Sequence, residues 1–189
     1  MECIKTTIIQ GFNEIVQTIK GIEKQFPEQE HFVSFVSFNG LEIKTLHFLD
    51  PANKLEEINA KSYIPDASTP LLDAMGYSII KLKHALADVT DYNVLVTVLT
   101  DGEENASSEF SGQDIKGLVD ELKLKNWTFT YIGTGHDIEK MAYSISINNT
   151  LVFEKNEEDI HAMFDKEKKA RTRYGEKIHS FKDTMSNYF

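Results

Sequence analysis

The sequence predicts an α/β domain: a three-layer α/β/α arrangement around a mostly parallel, doubly wound sheet with one antiparallel edge hairpin. Three observations predict it. Apolar runs of strand length alternate with amphipathic helical segments through most of the chain. One of those runs, Asn93–Thr100, is a continuous, Val- and Leu-rich apolar run without alternation, typical of a parallel strand covered on both faces. A single Asn-Gly pair, Asn39-Gly40, supplies the one strong hairpin signal. With 189 residues, 41% hydrophobic and 26% charged, the chain suits one folded domain over 1–189, its core about 4–154, followed by a C-terminal helix about 157–180.

Each element has its own signal. Ile4, Ile8, Phe12, Ile15, Val16, Ile19 and Ile22 recur at helical spacing and stop before Pro27. Phe32–Phe38 is β-rich and nearly apolar on both faces, which reads as a buried strand. Leu41–Leu49 is its antiparallel partner, with Glu42 and Lys44 on an exposed side. A short helix is expected around Leu55–Ala60. A second long helix presents Leu71, Leu72, Met75, Ile79, Leu82 and Leu86. After the Asn93–Thr100 strand, Ser111 and Asp114 mark a helix start. Trp127–Ile132 is the next strand. Asp137 is expected to cap a helix through Ile145, and Leu151–Phe153 is a last short strand. Asn156 and Asp159 open the final helix.

Composition excludes several classes of function. The formal net charge of -10 opposes non-specific nucleic-acid binding, which rests on phosphate neutralisation. A basic partner or a divalent cation suits it better. No run approaches the roughly 18 apolar residues of a membrane span, and no basic-then-apolar leader stands at Met1. Cys3 is the only cysteine, so no internal disulfide forms, and a cytoplasmic location is expected.

In parallel sheets, ligands sit beyond the carboxyl ends of the strands. The candidate residues there are Asp101 with Glu103 and Glu104, the Gly133–His136 loop, and the Asp66–Thr69 loop. Asp101 suits either magnesium binding or loop capping. Thr69, before Pro70, suits either a helix N-cap or a hard oxygen ligand. His136 reads as surface polar. The run Lys166, Lys168, Lys169, Arg171, Arg173 reads as a solvated helix face that could dock an acidic partner. No Ser/His/Asp order, phosphate-cradling Gly-rich loop or His pair is visible.

Taken in order, Ser68-Thr-Pro-Leu-Leu-Asp-Ala before a helix and Thr100-Asp-Gly-Glu-Glu-Asn-Ala-Ser107 after a strand resemble a von Willebrand factor type A (vWA) domain, specifically its small single-domain bacterial members. The resemblance runs from Gly11-Phe12-Asn13 to about Phe153. It implies a metal-ion-dependent adhesion site in which Mg2+ is held by hydroxyls, waters and few carboxylates, leaving one position for an acidic group of a protein partner. Thr69 and Asp101 match the second and third ligand loops. The first, Asp-x-Ser-x-Ser, is absent, together with the strand that should carry it.

The resemblance therefore implies a non-enzymatic protein-interaction module with an incomplete Mg2+ site. In the family's strand order the missing strand is central, between Phe32–Phe38 and Asn93–Thr100. An incomplete start, with Met1 an internal methionine, is the expectation. A chain truly beginning at Met1 is expected to close its sheet by pairing those two strands directly or by pairing with another molecule, including a second copy. Two alternatives from other classes remain. One is a Mg2+-dependent phosphate-handling enzyme using Asp101, Glu103 and Glu104. The other is a structural subunit whose sheet is completed by a partner strand.

Overall fold

The computed structural model describes residues 5–60, 68–135, 137–184 and 187–189. Met1, Cys3, Ile4, Asp66 and His136, named above, lie outside the described residues. The elements follow the order α1 Lys5–Gln25, β1 Phe32–Phe38, β2 Ile43–Pro51, α2 Leu71–Ala85, β3 Val94–Thr100, α3 Gly112–Lys123, β4 Trp127–Gly133, α4 Ile138–Ser144, β5 Asn149–Val152 and α5 Glu157–His179.

The strands form two sheets, not one. β1 and β2 make an antiparallel pair, with Phe38 opposite Ile43 and Phe32 opposite Pro51. β3, β4 and β5 make a parallel sheet in that order, with Val94 beside Trp127 and Thr130 beside Asn149. No ladder joins β1 to β3. Direct pairing of these two strands, one of the two ways expected to close the sheet, does not occur among the described residues.

Alternation along the parallel strands sends side chains to two faces. Val94, Val96 and Val98 of β3, with Trp127, Phe129 and Tyr131 of β4, pack with Leu71, Met75 and Ile79 of α2, Ile115, Val119 and Leu122 of α3, and Ile138 and Ala142 of α4. Leu99 and Ile132 turn the other way, against Ile8 of α1 and Ile160, Met163 and Phe164 of α5. Helices α1 and α5 pack closely. Gly11 makes this possible, because a methyl group there would overlap the Phe164 ring.

The Asn39-Gly40 turn closes the expected hairpin, and Asn39 Oδ1 accepts the N–H groups of Leu41 and Glu42 at 2.9 and 3.0 Å. Three other sequence expectations need correction. Leu55–Ala60 forms no helix. A 3-10 turn at Ala52–Lys54 precedes it, and the segment then lies along α1. There the Asn13 amide bonds both the N–H and the carbonyl of Ile58, and Lys20 donates to the Leu55 carbonyl. Asp137 stands at the start of α4 without a side-chain capping bond. β1 is half-buried, not buried, with Phe32 53% exposed. Its apolar faces ask for neighbours on both sides, and only one strand is beside it.

The capping signals of the other helices hold. Ser111 and Asp114 form a reciprocal capping box at α3, and Asn156 accepts the Asp159 N–H at α5.

Candidate functional site

The space between β1 and β3 is a cleft of about 1500 Å3, larger than the ~300–1,000 Å3 of ordinary small-molecule pockets. Every residue of β1 and of β3 borders it. One wall comes from α2, with Leu71, Met75 and Ile79, and the opposite wall from α1 and α5, with Phe12, Ile15 and Phe164.

One end of the cleft is bordered by Ser68, Thr69, Thr100 and Asp101. The carboxyl ends of β1 and β3 both reach it. Beyond β1, a methyl on Gly40 would lie 2.7 Å from the Ser68 side chain. Beyond β3, a methyl on Gly102 would lie 2.6 Å from Thr69 Oγ1. A residue larger than glycine at 102 would therefore push the Thr69 hydroxyl aside. The structure thus brings the two sequence-predicted site residues, Thr69 and Asp101, to one end of one cleft.

Their partners are specific. Thr69 does not cap α2: Pro70 occupies the cap position, without a side-chain bond. The Thr69 N–H donates to Asn105 Oδ1 at 2.8 Å, and its carbonyl accepts the Asn105 N–H at 3.3 Å. Asp101 is mostly buried, its side chain 18% exposed, and its Oδ2 lies 3.4 Å from Lys155 Nζ. Lys155, just past β5, was not signalled by any motif.

Glu103 is exposed. Glu104 has a different task from the metal-rim or catalytic one considered for it. Its carboxylate accepts the Leu72 N–H at 2.9 Å, the Ala106 and Ser107 N–H groups at 3.0 and 2.8 Å, and the Ser107 hydroxyl at 2.7 Å. It caps α2 from another loop and ties that loop into a turn. Burial alone would raise its carboxyl, but these donors outweigh burial and hold it below the usual range.

Asp73, which the sequence did not single out, complements it. It is 5% exposed and accepts the N–H groups of Ser108, Glu109 and Phe110 at 2.9, 3.0 and 2.8 Å. Burial pushes its carboxyl up, and the three donors more than reverse that shift. Asp73 and Glu104 therefore fix the loop after β3 to the start of α2. That clamp sets the position of Thr69 against Asp101 and Gly102.

The other end of the cleft lies at the amino ends of β1 and β3. Gln29 and His31 border it, and Glu167 and Arg171 line the cleft midway along β3, level with Thr97. Glu167 is fully buried. Arg171 Nη2 donates to Glu167 Oε1 at 2.6 Å and to Thr97 Oγ1 at 3.2 Å, and the Tyr188 hydroxyl donates to Glu167 Oε1 at 2.9 Å. Arg171 thus leaves the solvated face expected for the basic run. Lys168 is engaged too, with Glu14 and Asp165.

Thr69 and Asp101 do not by themselves make a magnesium site. Mg2+ takes six oxygens in near-octahedral order; this pair offers two, and Lys155 already offsets the Asp101 charge. Among the described residues, no three His, Cys, Asp or Glu side chains gather to hold a metal ion. No described helix is long and apolar enough to cross a membrane.

No protein-family model and no curated protein matches the chain. Among solved structures, the chain is similar to proximal thread matrix protein 1 from the mussel byssus, at 12% identity and a TM-score of 0.52. The match covers 86% of this chain and 41% of that one, so the chain spans less than half the length of that relative. At that identity the likeness is one of fold alone.

Proposed function

We propose that the chain is a non-enzymatic protein-interaction module of the vWA type: a three-layer domain whose recognition site is the cleft ending at Thr69 and Asp101, with an incomplete Mg2+ site. The observation that carries this reading is the cleft itself. It is long, apolar on both walls and flanked by two strand edges, which suits a polypeptide better than a small metabolite. The packing of α2, α3 and α4 on one side of the parallel sheet and α1 and α5 on the other supports the three layers.

The use of Glu104 weighs against the phosphate-handling alternative. A carboxylate that already accepts four hydrogen bonds, three from its own loop and one from Leu72 of α2, has little capacity left for a metal or a proton. Asp101 keeps its place at the cleft end, where a partner's side chains would meet it together with the Thr69 hydroxyl. Donors from a partner would have to complete any metal coordination.

Two measurements on the purified protein test this reading. Calorimetric titration with MgCl2 is expected to give no dissociation constant tighter than millimolar. Assays of phosphomonoester and nucleoside triphosphate hydrolysis with Mg2+ are expected to give no turnover that depends on Asp101. Micromolar Mg2+ binding lost in Asp101→Ala would overturn the incomplete Mg2+ site, and turnover lost in Asp101→Asn would replace this reading with the enzymatic one.

A further inference from the structure

We propose that Lys155 is a built-in counter-ion to Asp101: its ammonium holds the Thr69–Asp101 end of the cleft against divalent cations, and a cation binds there only by displacing it. This deepens the reading of that end as an incomplete Mg2+ site and rests on it.

The backbone fixes where Lys155 stands. Two residues before it, the Phe153 N–H donates to the Gly133 carbonyl at 3.0 Å and holds the end of β5 to β4. One residue after it, Asn156 caps α5, its Oδ1 accepting the Asp159 N–H at 2.9 Å. The Asn156 N–H donates to the Glu154 carbonyl at 2.8 Å, which closes a three-residue turn centred on Lys155. The lysine backbone is thus pinned from both sides.

The carboxylate is fixed as well. Asp101 follows the last residue of β3, and the Thr134 hydroxyl donates to its carbonyl at 3.3 Å. Thr100, Gly133 and Val152 lie in register across β3, β4 and β5. Asp101 and the residues after Val152 therefore leave the same end of the sheet. The long lysine stem spans the width of β4 and brings Nζ to 3.4 Å from Asp101 Oδ2.

Charge gives the consequence. The Asp101 side chain is 18% exposed and that of Lys155 49%, so salt and water screen their attraction only in part. A divalent ion bound at Asp101 would stand within a few Å of the ammonium, and like charges so close repel. Lysine and metal exclude each other. Glu103 and Glu154, the exposed carboxylates nearest in sequence to the pair, add negative charge that Lys155 offsets. A half-exposed ion pair adds little to folding stability. The effect of Lys155 therefore falls on cation binding and not on the fold.

MnCl2 is the probe, since Mn2+ takes the same oxygen ligands as Mg2+ and the free ion is counted by electron paramagnetic resonance. The expected result is that Lys155→Met binds Mn2+ about tenfold more tightly than the parent chain, with its melting temperature unchanged. The tightening should vanish in the double change Lys155→Met with Asp101→Asn. It should be absent in Lys155→Arg, which keeps the charge. It should also be absent in Lys24→Met, which removes an equal charge from the last turn of α1. Displacement is read separately, by acetylating lysines with an N-hydroxysuccinimide ester and locating the products by mass spectrometry. Lys155 should react slowly in the parent and faster in Asp101→Asn.

Equal Mn2+ affinity in the parent and Lys155→Met, including no binding by either at millimolar Mn2+, would overturn the proposal. Equal tightening in Lys24→Met would mean a general charge effect and also overturn it. Lys155 acetylation that is the same in the parent and Asp101→Asn would show that the ammonium is not held at the carboxylate, and would overturn it as well. The ratio between variants tests Lys155, whereas the parent's absolute Mg2+ constant tests the incomplete site, so the two stand or fall separately.

Discussion

Asp73→Ala is expected to lower the unfolding free energy by about 3 kcal/mol, since it strands three backbone donors that now share one buried carboxylate. For a domain of this size that is a fall of roughly 6–12 °C in melting temperature. Urea unfolding followed by circular dichroism measures it, and Asp73→Asn, which keeps one acceptor oxygen, should recover part of the loss. The same carboxylate makes stability acid-sensitive. The folded carboxyls of Asp73 and Glu104 are held below their ordinary values of 3.8 and 4.5. Their contribution is therefore complete above those values and is lost as pH falls through the lower, folded ones. Asp73→Ala should show a shallower loss of stability below about pH 4.5 than the parent chain. An unchanged melting temperature in Asp73→Ala would show that the loop after β3 is held by something else.

Arg171→Met is expected to cost about 3–5 kcal/mol, because it leaves the fully buried Glu167 carboxylate without its cation. Glu167 would then keep only its bond from the Tyr188 hydroxyl. The double change Arg171→Met with Glu167→Met removes both charges and should regain most of that loss, since replacing a buried pair by apolar groups of similar size is often close to neutral. A double-mutant cycle read from denaturant midpoints gives the coupling directly. If the two single changes simply add, Arg171 and Glu167 do not act as a pair.

How much of this could be read from sequence differs by element. Val94–Thr100 and Trp127–Gly133 declare themselves through unbroken apolar runs, and α3 and α5 through their caps, because those signals are local. Thr69 and Asp101 were found by motif order, and they do come to one end of one cleft. The roles of Glu104 and Asp73 were not legible. Glu104 takes local donors from Ala106 and Ser107, but its bond to α2 reaches Leu72, 32 residues away, and the donors of Asp73 lie 35 to 37 residues away in Ser108, Glu109 and Phe110; nothing local announces these long-range pairings. Lys155 reaches Asp101 only because β5 lies beside β4, whose other neighbour is β3. The basic run on α5 misled for a related reason. Helical position decides whether an arginine faces water, and Arg171 falls on the side that meets Thr97. β1 shows the opposite error. Its composition says that both faces seek apolar contact, but not that a neighbouring strand is present.

The open edges of β1 and β3 are the centre of this account, and amide hydrogen exchange on the unliganded protein tests them most directly. Over Thr130–Gly133 β4 has a strand on each side, so its amides there are expected to be uniformly protected. β3 has β4 on one side only. Alternate amides from Val94 to Thr100 should therefore exchange fast while their neighbours, bonded to β4, stay protected. Phe32–Phe38 should show the same alternation against β2. Uniform protection along β3 and β1, equal to that of β4, would mean that their edges are already paired in solution, and it would contradict the open cleft.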